Sequence, residues 1–417
     1  MPDPSTDKLP LEYLNADTAA PLRAKWVRMA EGGTTLGTIA LMLVVIPGLY
    51  LAGAIDITTV NQFGRFLCYA IVALGIDLVW GYTGLLSLCQ AMFFCLGGYA
   101  IGMHMALHGP LDGEGIPRCL YVVTSDVAGF QLPEFWKPFR TLPGAAVLAL
   151  LVPGFVAFVF GYFSFRSRVR GVYFSIITQA TVAAVVLIFR RNETRLCGTN
   201  GLTNFQTLAG FDLTLPSVKL GLYLLTAVTL ILVYVACRHI VGSRLGRLLV
   251  AVRDNESRLR FAGYQPVKLK VFAFTAGAVI AGIGGMLYTP QNGIITPYKM
   301  EPAESIFMVV WVAVGGRGTL AGAVLGAVLV NYMNSVLTSR YPAAWPFLLG
   351  GLYIVVVLAM PDGIVGLWKK WTTGERRAAG RAEADDDGVP DTATPPEPEV
   401  SINSDLMARV AGEGAVR

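Results

Sequence analysis

The sequence RHIVGSRLGRLLVAVRDNESRLRFAGYQPVKLK (Arg238–Lys270) separates two long apolar runs of this 417-residue chain. It carries eight lysine or arginine residues against only two acids, Asp254 and Glu256. A short basic loop between two membrane spans marks the cytoplasmic side of a membrane protein. The stretch therefore predicts both a membrane fold and the orientation of that fold.

Apolar residues recur within this stretch at helical spacing. They are Leu245, Leu248, Leu249 and Val252. Ser243 is a suitable N-cap, and Asn255 can cap a second short turn. Gly263 followed by Pro266 ends the pattern. The sequence predicts a short amphipathic helix with a continuation, lying across the inner ends of the spans. Such a helix suits docking of a cytoplasmic partner; the alternative is a basic loop that only fixes the topology.

The composition predicts an integral membrane protein. Hydrophobic residues make up 54% of the chain and charged residues 15%, and the mean hydropathy is +0.56. Soluble domains carry about 25% charged residues. The net charge of +5 does not require a nucleic-acid partner, because the basic residues cluster where cytoplasmic loops are expected. The three histidines do not group with acids or thiols at ligand spacing, so no metal site is predicted.

Apolar runs long enough to cross a membrane, about 20 residues, recur along the chain. They are 34–52, 60–80, 84–107, 141–163, 171–189, 219–237, 271–289, 319–337 and 343–360. A shorter run, 303–315, is below that length unless it is extended back to Tyr298, but it must also cross if the basic C-terminal flank is to lie inside. The predicted fold is all-α, with about ten transmembrane helices and both termini cytoplasmic.

The sequence divides into three predicted regions. Residues 1–33 form a cytoplasmic segment, 34–365 the transmembrane domain, and 366–417 a cytoplasmic tail. The tail is rich in acids and proline, and we expect it to be disordered because it buries too little apolar surface. Cys119 and Cys197 lie in predicted outside loops, where a bridge between them remains an alternative to free thiols.

Small residues at four-residue spacing predict close helix packing, since lipid provides no hydrophobic drive for association. The predicted packing positions are Gly98, Gly102, Gly277, Gly285, Gly318, Gly322 and Gly326. Neutral polar residues also fall within the spans. Those selected as a path for a small, uncharged, hydrogen-bonding solute are Gln90, Ser175, Thr178, Gln179 and Asn331. The alternative reading of each is an interhelical hydrogen bond. No GxxxxGK[ST] phosphate loop and no catalytic set occurs in the sequence.

Five segments, in order, resemble one family of membrane permeases. They are GYTGLLSLCQAMFFCLGGYAIGM (81–103), GVYFSIITQA (171–180), GTNGLTNF (198–205), LGRLLVAVRDNESRLRFAGY (245–264) and VGGRGTLAGAVLGA (314–327). They are similar to LivM-like permeases of branched-chain amino acid ABC importers, and most similar to the urea-type permeases. The pair Cys89-Gln90 departs from the family, whose members often have Gly followed by His or Gln there.

This resemblance implies a non-enzymatic permease subunit of an ATP-driven importer of urea or short amides, in the lipid of the cell (inner) membrane. It implies three kinds of partner: a second homologous permease, two cytoplasmic ATPases that bind the ATP, and an extracytoplasmic solute-binding protein. The chain itself then needs no cofactor. Residues 238–270 correspond to the ATPase-coupling loop. The coupling residues are Arg247, Leu248, Leu249, Arg253, Asp254, Asn255 and Gly263. The alternatives are a branched-chain amino acid importer and a passive urea or amide channel.

Overall fold

The computed structural model describes residues 44–109, 132–167 and 171–342, and the isolated positions 37, 117, 169, 347, 350, 351 and 363. The helices of these parts of the chain are α1 (Ile57–Ile76), α2 (Gln90–Leu107), α3 (Leu142–Arg166), α4 (Val172–Arg190), α5 (Pro216–Gly242), α6 (Arg244–Asp254), α7 (Glu256–Phe261), α8 (Pro266–Asn292), α9 (Pro302–Gly315) and α10 (Leu320–Arg340). A π-helical turn, Asp77–Gly81, extends α1.

Seven helices of the described chain are long and apolar enough to cross a membrane. The shorter α9 follows a 3₁₀ turn, Pro297–Met300. The predicted all-α membrane fold is confirmed. Residues 44–51, within the predicted first span, are also helical. Outside the described residues lie 34–36 and 38–43 of that span, the predicted span 343–360 except residues 347, 350 and 351, the 1–33 segment and the 366–417 tail.

Helix α8 lies at the centre of the bundle, where it packs against α1, α2, α3 and α5. Small residues allow this close approach: a Cβ added to Gly277 would lie 2.9 Å from the carbonyl oxygen of Gly75, on α1. A Cβ at Gly285 would collide with the backbone carbonyl of Phe94, on α2. Added Cβ atoms would also be crowded at Gly98, Gly102, Gly322 and Gly326. Glycine lets helix backbones approach closely at these positions, as bilayer packing requires, except at Gly102, where the crowding atoms are side chains of loop residues.

Gly318 differs from the other selected glycines, because it lies in the loop that precedes α10 and not on a helix. Its φ of +75° favours glycine. Its N–H donates a 2.7 Å hydrogen bond to Asp77. The sequence pattern assigned Gly318 to a packing stripe because it lies four residues before Gly322, and spacing alone cannot show where a helix begins.

The third apolar run was predicted as a span over 84–107, but α2 begins only at Gln90. Residues 84–89 are not helical, and their backbone groups are bonded by side chains of α4. The hydroxyl of Ser175 donates to the Leu86 carbonyl at 2.8 Å, and the Leu88 N–H donates to Thr178 Oγ1 at 3.2 Å. Non-helical backbone is tolerated inside a membrane protein only where other groups satisfy it in this way.

The bundle has two ends. We call the end that carries α6 and α7 the inner end, because loop 238–270 is predicted to be cytoplasmic, and the opposite end the outer end. At the outer end, Asp56 caps α1: the Thr58 hydroxyl and the Ile57 N–H bond its carboxylate and hold its pKa below the usual range. The long loop before α5 contains a two-stranded antiparallel sheet, β1 (Thr207–Leu208) and β2 (Phe211–Asp212), with Leu208 opposite Phe211.

Cys197, in the same loop, is disulfide-bonded. Cys119, its partner in the bridge that the sequence left open as an alternative, lies outside the described residues. Of the other cysteines, Cys68, Cys89, Cys95 and Cys237 are buried free thiols.

Candidate functional site

Residues 243–263, which we call the coupling segment, fold as the two short helices that their capping residues predict. The Ser243 hydroxyl accepts the N–H of Leu245 at 3.1 Å, and Asn255 Oδ1 accepts the N–H of Arg258 at 2.9 Å. Gly263 has a φ of +84°, which ends the segment before α8 begins. The predicted caps and termination are confirmed. They fix α6 and α7 as consecutive helices joined at Asn255.

The apolar stripe of α6 faces the chain's own bundle. Leu249 is 0% exposed and Val252 5% exposed, while Leu248 is half-buried. These leucines were selected from the sequence as coupling residues. Leu249 cannot present a surface to a partner, because the bundle already covers it; its role is to hold α6 in place. The amphipathic pattern predicted the helix correctly, but it could not show whether the apolar face packs on the chain's own bundle or on a partner protein.

The exposed surface of the segment is formed by other residues. Arg247, Asp254, Asn255 and Gly263 are exposed, and so is Phe261, whose exposed fraction is 91%. Sequence reasoning missed Phe261. The available signal was an aromatic residue directly after Arg260, in a basic stretch predicted to face the cytoplasm.

Arg253 connects the coupling segment to the bundle. Its Nη1 donates to the Gly81 carbonyl oxygen at 2.9 Å, and its Nε donates to Asp254 Oδ1 at 3.0 Å. Gly84 lies directly beneath the arginine, since a Cβ there would be 2.9 Å from Arg253 Cγ. The guanidinium therefore bonds the turn where α1 ends and the non-helical segment before α2 begins.

We call Asp77, Gly81, Arg253 and Gly318 the inner junction. Asp77 is fully buried, and its Oδ2 has no hydrogen-bond partner among the described residues. Beside it, the Arg317 guanidinium lies 5.3 Å from the centre of the Trp80 ring. The inner junction joins α1, the coupling segment and the loop before α10 at one point.

A second attachment holds α7 to the start of α8. The carboxylate of Glu256 accepts hydrogen bonds from Lys270 at 2.7 Å and from Arg260 at 3.0 Å. The side chains of Lys270 and Glu256 are only 8% and 16% exposed. A partly buried ion pair of this kind restricts the motion of the segment relative to α8 more than an exposed pair would.

The structure brings three of the selected path residues to one region at the start of α2. Gln90 is 1% exposed, and neither its Oε1 nor its Nε2 has a partner among the described residues. Ser175 and Thr178 bond the backbone just before it, as described above. Gln179 lies on α4, as Ser175 and Thr178 do, and it is half-buried. Gln90 is thus a buried amide whose donor and acceptor are both unused.

Asn331 is in a different place. Its Nδ2 donates to the Ala327 carbonyl within α10 at 2.8 Å, and its side chain lines an open cleft of about 360 Å³ between α1, α9 and α10. The charged residues that line the cleft are Arg65, Lys299 and Glu304. Lys299 pairs with Glu304 at 3.0 Å.

An aromatic cluster joins the cleft to α2. Tyr69 lines the cleft, and its ring centre lies 4.8 Å from that of Trp311, 5.3 Å from Tyr288 and 6.0 Å from Phe94. Phe94 is one helical turn beyond Gln90. The cleft and the region of Gln90 are therefore separated by a layer of contacting rings.

This bundle of apolar helices, with a non-helical segment before α2 and a basic segment packed across one end, is the fold of a multi-pass membrane protein. Residues 58–358 match the family described as branched-chain amino acid transport system / permease component, and the chain belongs to that family. The predicted resemblance to the permeases of branched-chain amino acid importers is confirmed, and the narrower resemblance to urea-type permeases stays a prediction. The protein is a multi-pass transport subunit of the cell (inner) membrane, as its permease relatives and apolar helices indicate.

The chain is similar to permeases of bacterial and archaeal transport systems. It is 26% identical over 371 residues to the high-affinity branched-chain amino acid transport system permease protein LivM of Salmonella typhimurium, covering 82% of this chain and 78% of the relative. It is 24% identical to a probable branched-chain amino acid transport permease protein LivM of Methanocaldococcus jannaschii, covering 72% and 91%. It is also 24% identical to LivH of Salmonella typhimurium, again covering 72% and 91%. No solved structure matches the chain.

Proposed function

We propose that this chain is the permease subunit of an ATP-driven importer of urea and short amides. The observation that carries the choice of solute is the side chain of Gln90, a buried amide with an unused donor and an unused acceptor. Urea offers the complementary acceptor oxygen and N–H donors in a similarly small, planar group. The urea-type segments 171–180 and 198–205 support the same solute.

ATP hydrolysis is assigned to partner chains, because this sequence contains no phosphate loop. We infer two cytoplasmic ATPases, one of which docks on the exposed surface of α6 and α7. Phe261 is the apolar anchor of that surface, since a fully exposed aromatic residue in a polar surrounding is typical of an interface residue. Arg247 and Asn255 contribute polar contacts around it.

A second, homologous permease completes the proposed transmembrane unit. The chain is similar both to LivM and to LivH, two permease proteins of one Salmonella typhimurium transport system. This supports an assembly in which two related permeases pair. An extracytoplasmic solute-binding protein would deliver the solute to the outer loops.

Coupling runs through the inner junction. Closure of the ATPases displaces α6 and α7, and Arg253 transmits that displacement to Gly81, where α1 ends and the interrupted segment before Gln90 begins. The free energy of docking must differ between the outward-open and inward-open states, because otherwise nucleotide could not shift their populations. Gln90 lies close to the part of the chain that moves, which suits a residue that releases the solute inward.

A branched-chain amino acid importer is the second candidate, and it is favoured by the names of the relatives. The cleft also carries Arg65 and Glu304 beside aromatic rings, and these groups suit the carboxylate, the ammonium and the apolar side chain of an amino acid.

Competition separates the two solutes. The complete complex, with both permeases, the ATPases and the binding protein, is reconstituted into liposomes and supplied with ATP and radiolabelled urea. The proposal predicts urea uptake that excess acetamide reduces and excess leucine leaves unchanged. Uptake of labelled leucine, with no uptake of urea, would contradict the assignment of urea while retaining the permease function.

A further inference from the structure

We propose that the cleft between α1, α9 and α10 is a separate, outer recognition site, which binds a solute through an acceptor oxygen flanked by N–H groups. The inference rests on the proposed function, because it takes urea-type amides as the transported solutes. It assigns them a binding site in addition to Gln90, on the other side of the aromatic layer.

The first observation is an unused donor in the wall of the cleft. Trp311 is 1% exposed, its side chain lines the cleft, and its indole N–H has no partner among the described residues. A buried N–H group is nearly always bonded in a folded protein, and an exception calls for a missing partner. The N–H is a donor only, so that partner must be an acceptor.

Arg65 supplies a second donor in the same cleft. Its Nη1 donates to Asn292 Oδ1 at 3.1 Å, which fixes the guanidinium, but its buried Nε–H has no partner among the described residues. Two residues that line one cavity, one of them a cation, therefore each carry a buried donor that has no partner among the described residues. A carbonyl or carboxylate oxygen accepts two hydrogen bonds and is attracted by the positive charge.

The cleft also offers an acceptor and a flat apolar surface. Glu304 is bonded by Lys299 through Oε1, and its other oxygen can accept an N–H of the solute. The rings of Tyr69 and Phe307 pack on Trp311 with centres 4.8 Å and 5.4 Å away. A planar amide can lie against these rings while its edge meets the donors and the carboxylate. Urea satisfies the three requirements together.

The position of the cleft gives it a place in the transport sequence. Arg65 and Glu304 lie in the outer half of α1 and α9, and the contact between Tyr69 and Phe94 separates the cleft from Gln90. A solute held in the cleft has therefore not yet passed the aromatic layer. The cleft recognises the solute first, and Gln90 contacts it afterwards.

Equilibrium binding tests the cleft independently of transport. The full chain in nanodiscs is titrated with radiolabelled urea and, separately, with radiolabelled leucine. Trp311→Phe removes the N–H and replaces the indole by a smaller aromatic ring. The matched control is Trp136→Phe, since the Trp136 N–H already donates to the Arg195 carbonyl at 3.3 Å, outside the cleft.

We expect wild type to bind urea and Trp311→Phe to bind it about three- to tenfold more weakly, the usual effect of one lost hydrogen bond. Trp136→Phe should bind as wild type does. Arg65→Met is the second variant, and it should show a loss of at least the same size. Unchanged melting temperatures would exclude a purely structural effect.

The failure of this inference is distinguishable from the failure of the proposed function. The assignment of a binding site to the cleft is overturned if neither solute binds, or if wild type, Trp311→Phe and Arg65→Met bind with equal affinity. In that case the uptake assay still decides the function. Binding of leucine alone, weakened by both substitutions, would show that the cleft binds a carboxylate and not an oxygen flanked by N–H groups, and it would contradict urea as the solute.

Discussion

Arg253 bonds the backbone carbonyl of Gly81, a residue 172 positions away in the sequence, at 2.9 Å. This hydrogen bond joins the segment predicted to face the ATPases to the turn where the first long helix of the bundle ends. A charged donor on a backbone carbonyl is among the stronger hydrogen bonds in proteins. If the segment moves, either the inner end of α1 moves with it or this bond breaks.

Arg253→Ala should uncouple transport from ATP hydrolysis. The variant loses the bond to Gly81 but keeps the exposed docking surface, so we expect ATPase activity to persist while uptake falls about tenfold or more. Lys268→Ala is the matched control, because it removes an exposed positive charge from the same loop. Wild-type uptake by Arg253→Ala would show that the bond plays no part in coupling.

Phe261→Ala should weaken docking of the ATPases. An aromatic anchor at an interface typically contributes 2 kcal/mol or more, so we expect co-purification of the ATPases to drop by about tenfold or more. Phe211→Ala is the control: Phe211 is also exposed, at 66%, but lies in the outer loop. Full recovery of the ATPases with Phe261→Ala would place the docking surface elsewhere on the chain.

Glu256→Gln should destabilise the attachment of α7 to α8. The substitution leaves Lys270, whose side chain is 8% exposed, without its carboxylate. We expect a loss of about 1–3 kcal/mol, measured as a lower melting temperature in detergent. Glu134→Gln breaks a pair of similar geometry, with Lys137 at 2.6 Å, that is exposed to solvent. That control should melt as wild type does, and an equal shift in both variants would refute the argument from burial.

Gln90→Leu distinguishes a solute contact from a structural hydrogen bond. The amide of Gln90 has no described partner to lose, so its replacement by an apolar group should leave the melting temperature unchanged or raise it. Uptake of urea should nevertheless fall, with a KM raised about three- to tenfold. A lowered melting temperature with an unchanged KM would assign Gln90 to packing alone.

Gly285→Ala should impair folding although it adds a single methyl group. The new Cβ would collide with the backbone carbonyl of Phe94, and backbone cannot move aside as a flexible side chain can. Gly221→Ala, on α5, meets nothing within 4 Å and should express as wild type does. Fluorescence-detected size-exclusion chromatography gives the yield of folded protein, and equal yields would contradict the close contact of α2 and α8.

The sequence predicted those features that depend on local chemistry. Ser243 and Asn255 were recognised as caps because a short polar side chain before an apolar helical pattern has one common use. The beginning of α2 was placed six residues too early, at 84 instead of Gln90. Hydropathy continues through 84–89 without a break, and the side chains of Ser175 and Thr178 that satisfy this backbone come from a distant part of the chain.

Contacts between parts of the chain that are distant in sequence could not be predicted from the spacing of residue types. The stripe of α6 was correctly read as apolar, but whether Leu249 meets the bundle or a partner depends on how the segment folds back. The exposure of Phe261 follows from the same packing. The bond from Arg253 to Gly81, and the separation of Asn331 from Gln90, depend on contacts between helices remote in sequence.

The main role proposed for this chain is the coupling of ATP hydrolysis by partner subunits to movement of a urea-type solute. It is tested most directly by the initial rate of labelled urea uptake into liposomes that contain the complete complex, with ATP and with a non-hydrolysable analogue. The account predicts concentrative uptake with ATP alone, and loss of that uptake in Arg253→Ala with ATPase activity retained. Equal, non-concentrative uptake under both conditions would identify a passive channel and contradict the account.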